Sequence, residues 1–250
     1  MRIKFLLALS LIFLFTVPVL AQNNAKKILD RLYCPSGQMP VQDVVIELEE
    51  MSSEGSTGKM ALSSKDKIYF KKNCKIRIDI IISDPGGQLD GRQMTIIRDG
   101  IHAFHYLSTG QYPVKKKLDI PSPPLNMLFG VMQYPQDAGN TYSIVGTEVI
   151  DGVKVVKISI KNGKSEQFVW VDPNRLVPLK LEVDSKKGKD TVKKTIVYKD
   201  IGMTKDGRYI PMKLEKYTNG TMTELIVYKA LVINSDINDE LFTPMEKFLK

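Results

Sequence analysis

A period of two runs through the second half of this chain. In Val177-Pro178-Leu179-Lys180-Leu181-Glu182-Val183-Asp184 every odd residue is apolar and every even one, Pro178 aside, is charged. Val156, Ile158 and Ile160 alternate with Lys157, Ser159 and Lys161; Ile210, Met212 and Leu214 alternate with Tyr209, Pro211, Lys213 and Glu215. Successive side chains of a strand point to opposite faces, so these segments make a sheet with one wet face and one dry face. The alternating runs are separated by Asp99-Gly100, Asp151-Gly152, Asn162-Gly163, Asp206-Gly207 and Asn219-Gly220, dipeptides that supply the positive φ of tight hairpin turns.

Strand signals fall at 41–50, 58–63, 67–71, 75–83, 92–98, 102–107, 142–150, 153–161, 165–171, 177–184, 191–201, 208–217 and 222–234. Adjacent hairpins imply an antiparallel meander, because parallel strands need long crossovers. With this many strands and few helices the dry face must close on itself. The expected fold is mainly β: a single curved antiparallel sheet forming a half-open, incomplete barrel, with short helices over its concave face. A closed, lipocalin-like barrel is the competing architecture.

Two helices are expected. Ala25, Ile28, Leu29 and Leu32 make one apolar stripe over 24–33, with Asn23 or Asn24 as its cap. In the second, Ser122 caps a helix that starts at Pro123 and Pro124 and is ended by Pro135. Leu125, Leu128, Phe129 and Met132 fall on one side of it, with Met127 and Val131 beside them. So apolar a helix must lie over the dry face, as a fixed plug or a movable lid.

Met1-Arg2-Ile3-Lys4 is a short basic start, Phe5 to Leu20 an apolar run, and Val19-Leu20-Ala21 a signal-peptidase site. The run is short for a membrane span of roughly 20 residues, and residue 22 is Gln rather than the Cys that a lipoprotein acylates. The expectation is a soluble, exported protein cleaved after Ala21, with residues 22–250 forming one domain in which 121–139 can act as a pivot. In an oxidising compartment Cys34 and Cys74 permit one disulfide, whose loop of about 40 residues is worth roughly 4 kcal/mol.

The charge of +8 falls to +6 once Arg2 and Lys4 are removed. Lys115-Lys116-Lys117 lacks the interleaved aromatics of a nucleic-acid groove, so no nucleic-acid partner is expected. Proximity to anionic lipid and a merely solubilising surface fit the charge equally.

Catalytic motifs are missing. His102 and His105, three apart on a strand, face opposite sides and cannot share a proton relay or a metal. There is no nucleophile elbow, zinc signature, phosphate loop or EF-hand. Asp79, Asp84 and Asp90 are candidates to meet in space, but nothing singles out a pair. No enzymatic activity, cofactor or metal is expected. Apolar surface remains, and the unbranched methionines at 39, 51, 60, 94, 127, 132, 203, 212 and 222 suit a cavity for flexible guests as well as an ordinary core.

Several elements resemble one family in order. Residues 167–182, Gln-Phe-Val-Trp-Val-Asp-Pro-Asn-Arg-Leu-Val-Pro-Leu-Lys-Leu-Glu, resemble a hairpin of the LolA/LolB/RseB superfamily. Asp206-Gly207-Arg208-Tyr209-Ile210-Pro211 is similar to its "DG-aromatic-Ile-Pro" element, and residues 236–244 resemble its "Asp-Glu-Leu-Phe-Thr-Pro" terminus. Asp99-Gly100 through Tyr106 is similar to an upstream strand. Within the superfamily the outer-membrane lipoprotein-sorting proteins look closest.

The resemblance implies a periplasmic carrier, expected to be a monomer, that shields acyl chains inside a half-barrel. An inner-membrane ABC transporter would load it and an outer-membrane acceptor unload it. The expected cavity residues, their inward parity taken from the alternation alone, are Ile96, Phe104, Trp170, Leu181, Met212 and Leu214 on the sheet, under Leu125, Leu128, Phe129 and Met132 of the lid. The carriers latch the lid with an Arg; here the matching stretch is Lys71-Lys72-Asn73-Cys74. Lys72 can donate one bond but lacks the planar fork, and the Cys34/Cys74 pair is outside the carrier pattern. An RseB-like sensor would need a further domain, for which the chain's end at Lys250 leaves no room. A structural β-domain with no ligand is the third reading.

Overall fold

The structure, a computed structural model, describes residues 24–32, 41–54, 58–72, 75–99, 102–107, 116–117, 140–163, 165–187 and 190–243. The expected signal segment 1–21, both cysteines and the whole 123–133 segment, including Leu125, Leu128, Phe129 and Met132, lie outside the described residues.

The protein is mainly β, as the alternation requires. Its strands are β1 (Asp43–Glu54), β2 (Lys59–Lys71), β3 (Lys75–Ile82), β4 (Gln93–Asp99), β5 (His102–Leu107), β6 (Lys116–Lys117), β7 (Asn140–Ile150), β8 (Val153–Asn162), β9 (Ser165–Asp172), β10 (Val177–Lys187), β11 (Asp190–Met203), β12 (Tyr209–Thr218) and β13 (Thr221–Ile233). All pair into one sheet in the order β6-β5-β4-β3-β2-β1-β13-β12-β11-β10-β9-β8-β7, and every register described is antiparallel. The order does not return on itself, so the barrel is not closed. Strands that are neighbours in the sheet are consecutive in the chain except β1 and β13, whose pairing joins the two runs of hairpins.

One expectation is corrected. The signals at 58–63 and 67–71 belong to a single strand, β2. Ser64-Lys65-Asp66 is polar but keeps its pairing to both neighbours, opposite Glu50, Glu49 and Leu48 on β1 and Ile82, Ile81 and Ile80 on β3. A register shift between Glu50 and Met51 takes up the mismatch.

The chain forms two compact units. One contains 24–32 and 140–197, the other 41–117 and 198–243, with β11 running from the first into the second. In the first, helix α1 (24–32) buries Ala25, Leu29 and Leu32 and pairs Lys26 with Asp30 at 2.8 Å on its exposed side. That unit's β9–β10 turn is held by one carboxylate. Asp172, buried, accepts from the backbone N–H groups of Asn174 (2.9 Å) and Arg175 (3.3 Å) and from Arg175 Nε (2.6 Å). Leu176 takes φ 52° to close this turn.

In the second unit the segment after β13 folds back over the charged face of β1–β4. Asp43 holds its start, and a single 3-10 turn, η1 (Asp239–Phe242), packs on β3 and β4. Lys71 and Lys75 both reach Asp239, at 2.8 and 3.0 Å, and Lys71 Nζ donates to the Ile237 carbonyl at 2.6 Å. Ile237 and Phe242 are buried by this arrangement. Phe242 is thus the terminal anchor that its apolar character suggests, and Leu241 is half-buried.

Candidate functional site

Register pairs place residues on faces, since directly opposed residues project the same way. In the second unit one row runs Leu231–Ile46–Ile68–Ile78–Ile96 across β13, β1, β2, β3 and β4. A second runs Ile233–Val44–Phe70–Ile76. A third runs Tyr228–Leu48–Asp66–Ile80–Met94, and Leu214–Ile226–Glu50–Ser64–Ile82 follows it. These rows are the dry face, and the alternation in Lys75-Ile76-Arg77-Ile78-Asp79-Ile80 makes its β3 part legible in the sequence.

Burial grades across this face. Val44, Ile46, Phe70 and Leu214 are fully buried, whereas Ile78, Ile80, Ile82, Met94 and Ile96 are only half-buried. A wall of half-buried isoleucines with an unbranched thioether is apolar surface that a flexible guest can cover. Met212 is also half-buried on this face, and Gly202 lies against it: a Cβ at Gly202 would stand 3.1 Å from Met212 Cγ.

The six expected cavity residues do not share one face. Ile96, Met212 and Leu214 do, in the second unit. Phe104 pairs with Ile97, not Ile96, and so projects from the charged face beside Arg77 and Tyr69. It is buried there with Ile97 and Tyr106 in a small satellite core. His105, exposed, is the β5 residue opposite Ile96.

In the first unit Leu181 is aligned with Ile196, Val169, Ile158 and Ile144, a second dry row. Trp170 projects from the opposite face, paired with Lys157 and Lys180. Both ammonium groups stand 4.6 Å from its ring, and its indole N–H donates to Glu148 at 2.8 Å. Lysine stems cover the ring, so it is 2% exposed on a charged face. Trp170 is structural in this geometry, and sequence alone misses it because apolar residues occupy both parities of Phe168-Val169-Trp170-Val171.

The charged face is laced by ion pairs within and between strands. Glu182 lies between Lys180 (2.7 Å) and Lys193 (3.1 Å), and Glu215 between Lys199 (3.3 Å) and Lys213 (3.2 Å). Burial opposes ionisation of Glu215, but the Tyr217 hydroxyl and the two lysines outweigh it and hold its carboxyl below the usual range. Lys72 follows β2 in a turn: its backbone N–H donates to the Gln42 carbonyl at 2.8 Å and its side chain is exposed. Among the candidate carboxylates, Asp84 and Asp90 meet only as turn chemistry, the Asp84 N–H donating to Asp90 Oδ1 at 2.9 Å. Asp79 is held apart on β3 by Arg77 Nε (2.9 Å) and Thr95 Oγ1 (2.8 Å). Among the described residues no group of three His, Cys, Asp or Glu side chains is placed to hold a metal, and no helix is long and apolar enough to cross a membrane.

Solved structures share this fold. A protein domain assigned to outer-membrane lipoprotein sorting in Vibrio parahaemolyticus matches with a TM-score of 0.61 at 13% identity, over 88% of this chain and 97% of its own. A LolA superfamily protein from Nitrosomonas europaea matches with a TM-score of 0.54 at 16% identity, over 88% of this chain and 97% of its own. The chain has the LolA-like fold. A DUF1329 family protein from Desulfovibrio piger also matches this LolA-like chain, with a TM-score of 0.62 at 15% identity over 89% and 97% of the two chains. A family model described as "-like: Uncharacterized protein" covers residues 132–246. A search of the curated proteins gives no match.

Proposed function

We propose that this protein is an exported periplasmic carrier that shields the acyl chains of lipids or lipoproteins, binding them without covalent chemistry. The half-buried apolar wall of Ile78, Ile80, Met94 and Ile96, facing the same way as Met212 and Leu214, carries the reading. The LolA-like fold supports it, and so does the lack of any catalytic motif in the sequence. In the second unit the wall is the lining surface, with Phe104 supporting its strands from their other face; in the first unit the dry row around Leu181 is a separate apolar surface, with Trp170 on the opposite face of its own strands. The apolar 123–133 helix, with Leu125, Leu128, Phe129 and Met132, acts as the lid, and lipid tails replace its contacts when it swings away. Each buried CH₂ is worth about 0.8 kcal/mol, so one long chain contributes on the order of 10 kcal/mol gross. Lid opening must offset much of that for cargo to leave. Lys72, exposed in the turn after β2, is the candidate latch, and Cys34 with Cys74 a candidate disulfide. An inner-membrane ABC transporter and an outer-membrane acceptor are the partners such a carrier requires.

Native mass spectrometry of residues 22–250 from a periplasmic fraction tests this. Co-purifying amphiphile that is lost in a folded Phe129→Asp/Met132→Asp variant is the expected result. A bare mass that takes up neither fatty acid nor diacylated peptide overturns the carrier reading and leaves a structural or protein-binding domain.

A further inference from the structure

One residue breaks the apolar wall. Asp66, on β2, is opposed by Leu48 on β1 and Ile80 on β3, with Ile68 and Ile78 in the adjoining row and Met94 further along its own. Ser64 hydrogen-bonds the carboxyl group. Its Oδ1, however, is sealed from solvent and has no hydrogen-bond partner among the described residues. A buried acceptor without a donor is unfavourable, and an aliphatic side chain of similar size would serve a plain core better.

The polar groups nearest along the sheet do not relieve it. Glu50 projects from the same face one row away, and the Lys216–Glu224 ion pair lies beyond it. Burial pushes the Asp66 carboxyl up, and burial together with Glu224 raises Glu50, so neither carboxyl is drawn into a strong ion pair. Lys216 is already taken by Glu224. The wall therefore ends in acceptors, and the acceptor that stands furthest into the apolar rows is Asp66.

We infer that Asp66 is the specificity-determining residue of the acyl site, its Oδ1 accepting a hydrogen bond from an N–H or O–H at the head of the bound chain. The cargo class that follows is an amphiphile whose first polar group is a donor, such as an N-acyl amide, in preference to one bearing only acceptors there. This rests on the carrier reading above, to which it adds the chemistry next to the chain.

Two matched probes separate the possibilities: N-dodecanoylglycine dimethylamide, which carries one amide N–H at the chain junction, and N-dodecanoylsarcosine dimethylamide, in which a methyl replaces that hydrogen. Calorimetric titration of the full chain should show at least about tenfold tighter binding of the N–H probe, the difference made by one satisfied buried bond. Asp66→Leu should erase that preference while leaving the sarcosine probe as tight or tighter, and Asp66→Asn, which keeps an acceptor, should retain part of it. Equal affinity of the wild-type chain for both probes overturns the inference while leaving the carrier reading intact, as does a preference that survives in Asp66→Leu. Failure of wild type to bind either probe or any acyl chain overturns both readings.

Discussion

Asp43 and Ser235 lie 192 positions apart in sequence, yet Asp43 Oδ1 accepts from both the backbone N–H (2.7 Å) and the hydroxyl (2.9 Å) of Ser235. Its Oδ2 accepts from the Asp236 N–H at 3.1 Å, and its own carbonyl accepts from the Asn234 N–H at 2.9 Å. Asn234 and Asp236 both sit at positive φ, 55° and 58°, so this turn is held against local backbone preference. A carboxylate 3% exposed thus seats the returning segment at the start of β1. Asp43→Ala leaves three donors without their acceptor and should destabilise the fold by about 3 kcal/mol. Urea unfolding checks it, and a loss below about 1 kcal/mol would show that Lys71, Lys75 and Arg77 hold the segment unaided.

The β9–β10 turn gives a pH dependence with a definite sign. Burial works against the charge on Asp172, but the Arg175 side chain and the Asn174 and Arg175 N–H groups outweigh it, and the carboxyl is held below its ordinary value of 3.8. A depressed carboxyl contributes stability above the unfolded pKa and loses it as pH falls through the folded one. The gap in unfolding free energy between wild type and Asp172→Asn should therefore be full at neutral pH and narrow only below about pH 4. Chemical denaturation at stepped pH measures it. A gap that does not change with pH would mean that the turn is held by geometry, not charge.

What the sequence shows of this fold is its strands, and the reason is visible in β3, β10 and β12, where one parity is apolar and the other charged. The same logic fails where a charged face hides aromatic rings. Phe104 and Tyr106 follow the period of a dry face, but their register partners, Ile97 and Thr95, put them on the side of Arg77 and Asp79. Trp170 is buried by lysines from two neighbouring strands, β8 and β10, and which lysine stands beside it depends on register rather than on local pattern. Asp66 is the converse case: within Ser64-Lys65-Asp66 it looks like a turn residue, and only pairing to Leu48 and Ile80 shows that it lies on the apolar wall.

Gly202 and Met212 form a tight contact on the dry face of the second unit, with a Cβ at Gly202 reaching 3.1 Å from Met212 Cγ and 4.0 Å from the Ile210 carbonyl oxygen. Methionine is flexible enough to yield to one methyl group, so Gly202→Ala should change stability by less than about 1 kcal/mol. Gly202→Val adds volume that Met212 cannot clear and should cost about 1–3 kcal/mol. Thermal unfolding of the two variants side by side decides it; equal losses would mean that backbone conformation, not the Met212 side chain, sets the requirement.

Trp170 is the sole tryptophan, so its fluorescence reports on one known place. It stands on the charged face between Lys157 and Lys180, while Leu181 and its row project from the other side of the same strands. Bromine quenches indole emission only at short range, and a brominated acyl chain bound along the dry face is separated from this ring by the sheet. Saturating wild type with brominated fatty acid should leave Trp170 emission essentially unquenched. A reporter placed on the wall, Ile96→Trp in a Trp170→Phe background, should be strongly quenched by the same ligand. Quenching of Trp170 with a silent Ile96→Trp would move the acyl chain to the charged face and remove the apolar wall as the binding surface. Quenching of neither, with binding proven by calorimetry, would place the chain on the Leu181 row, away from β4.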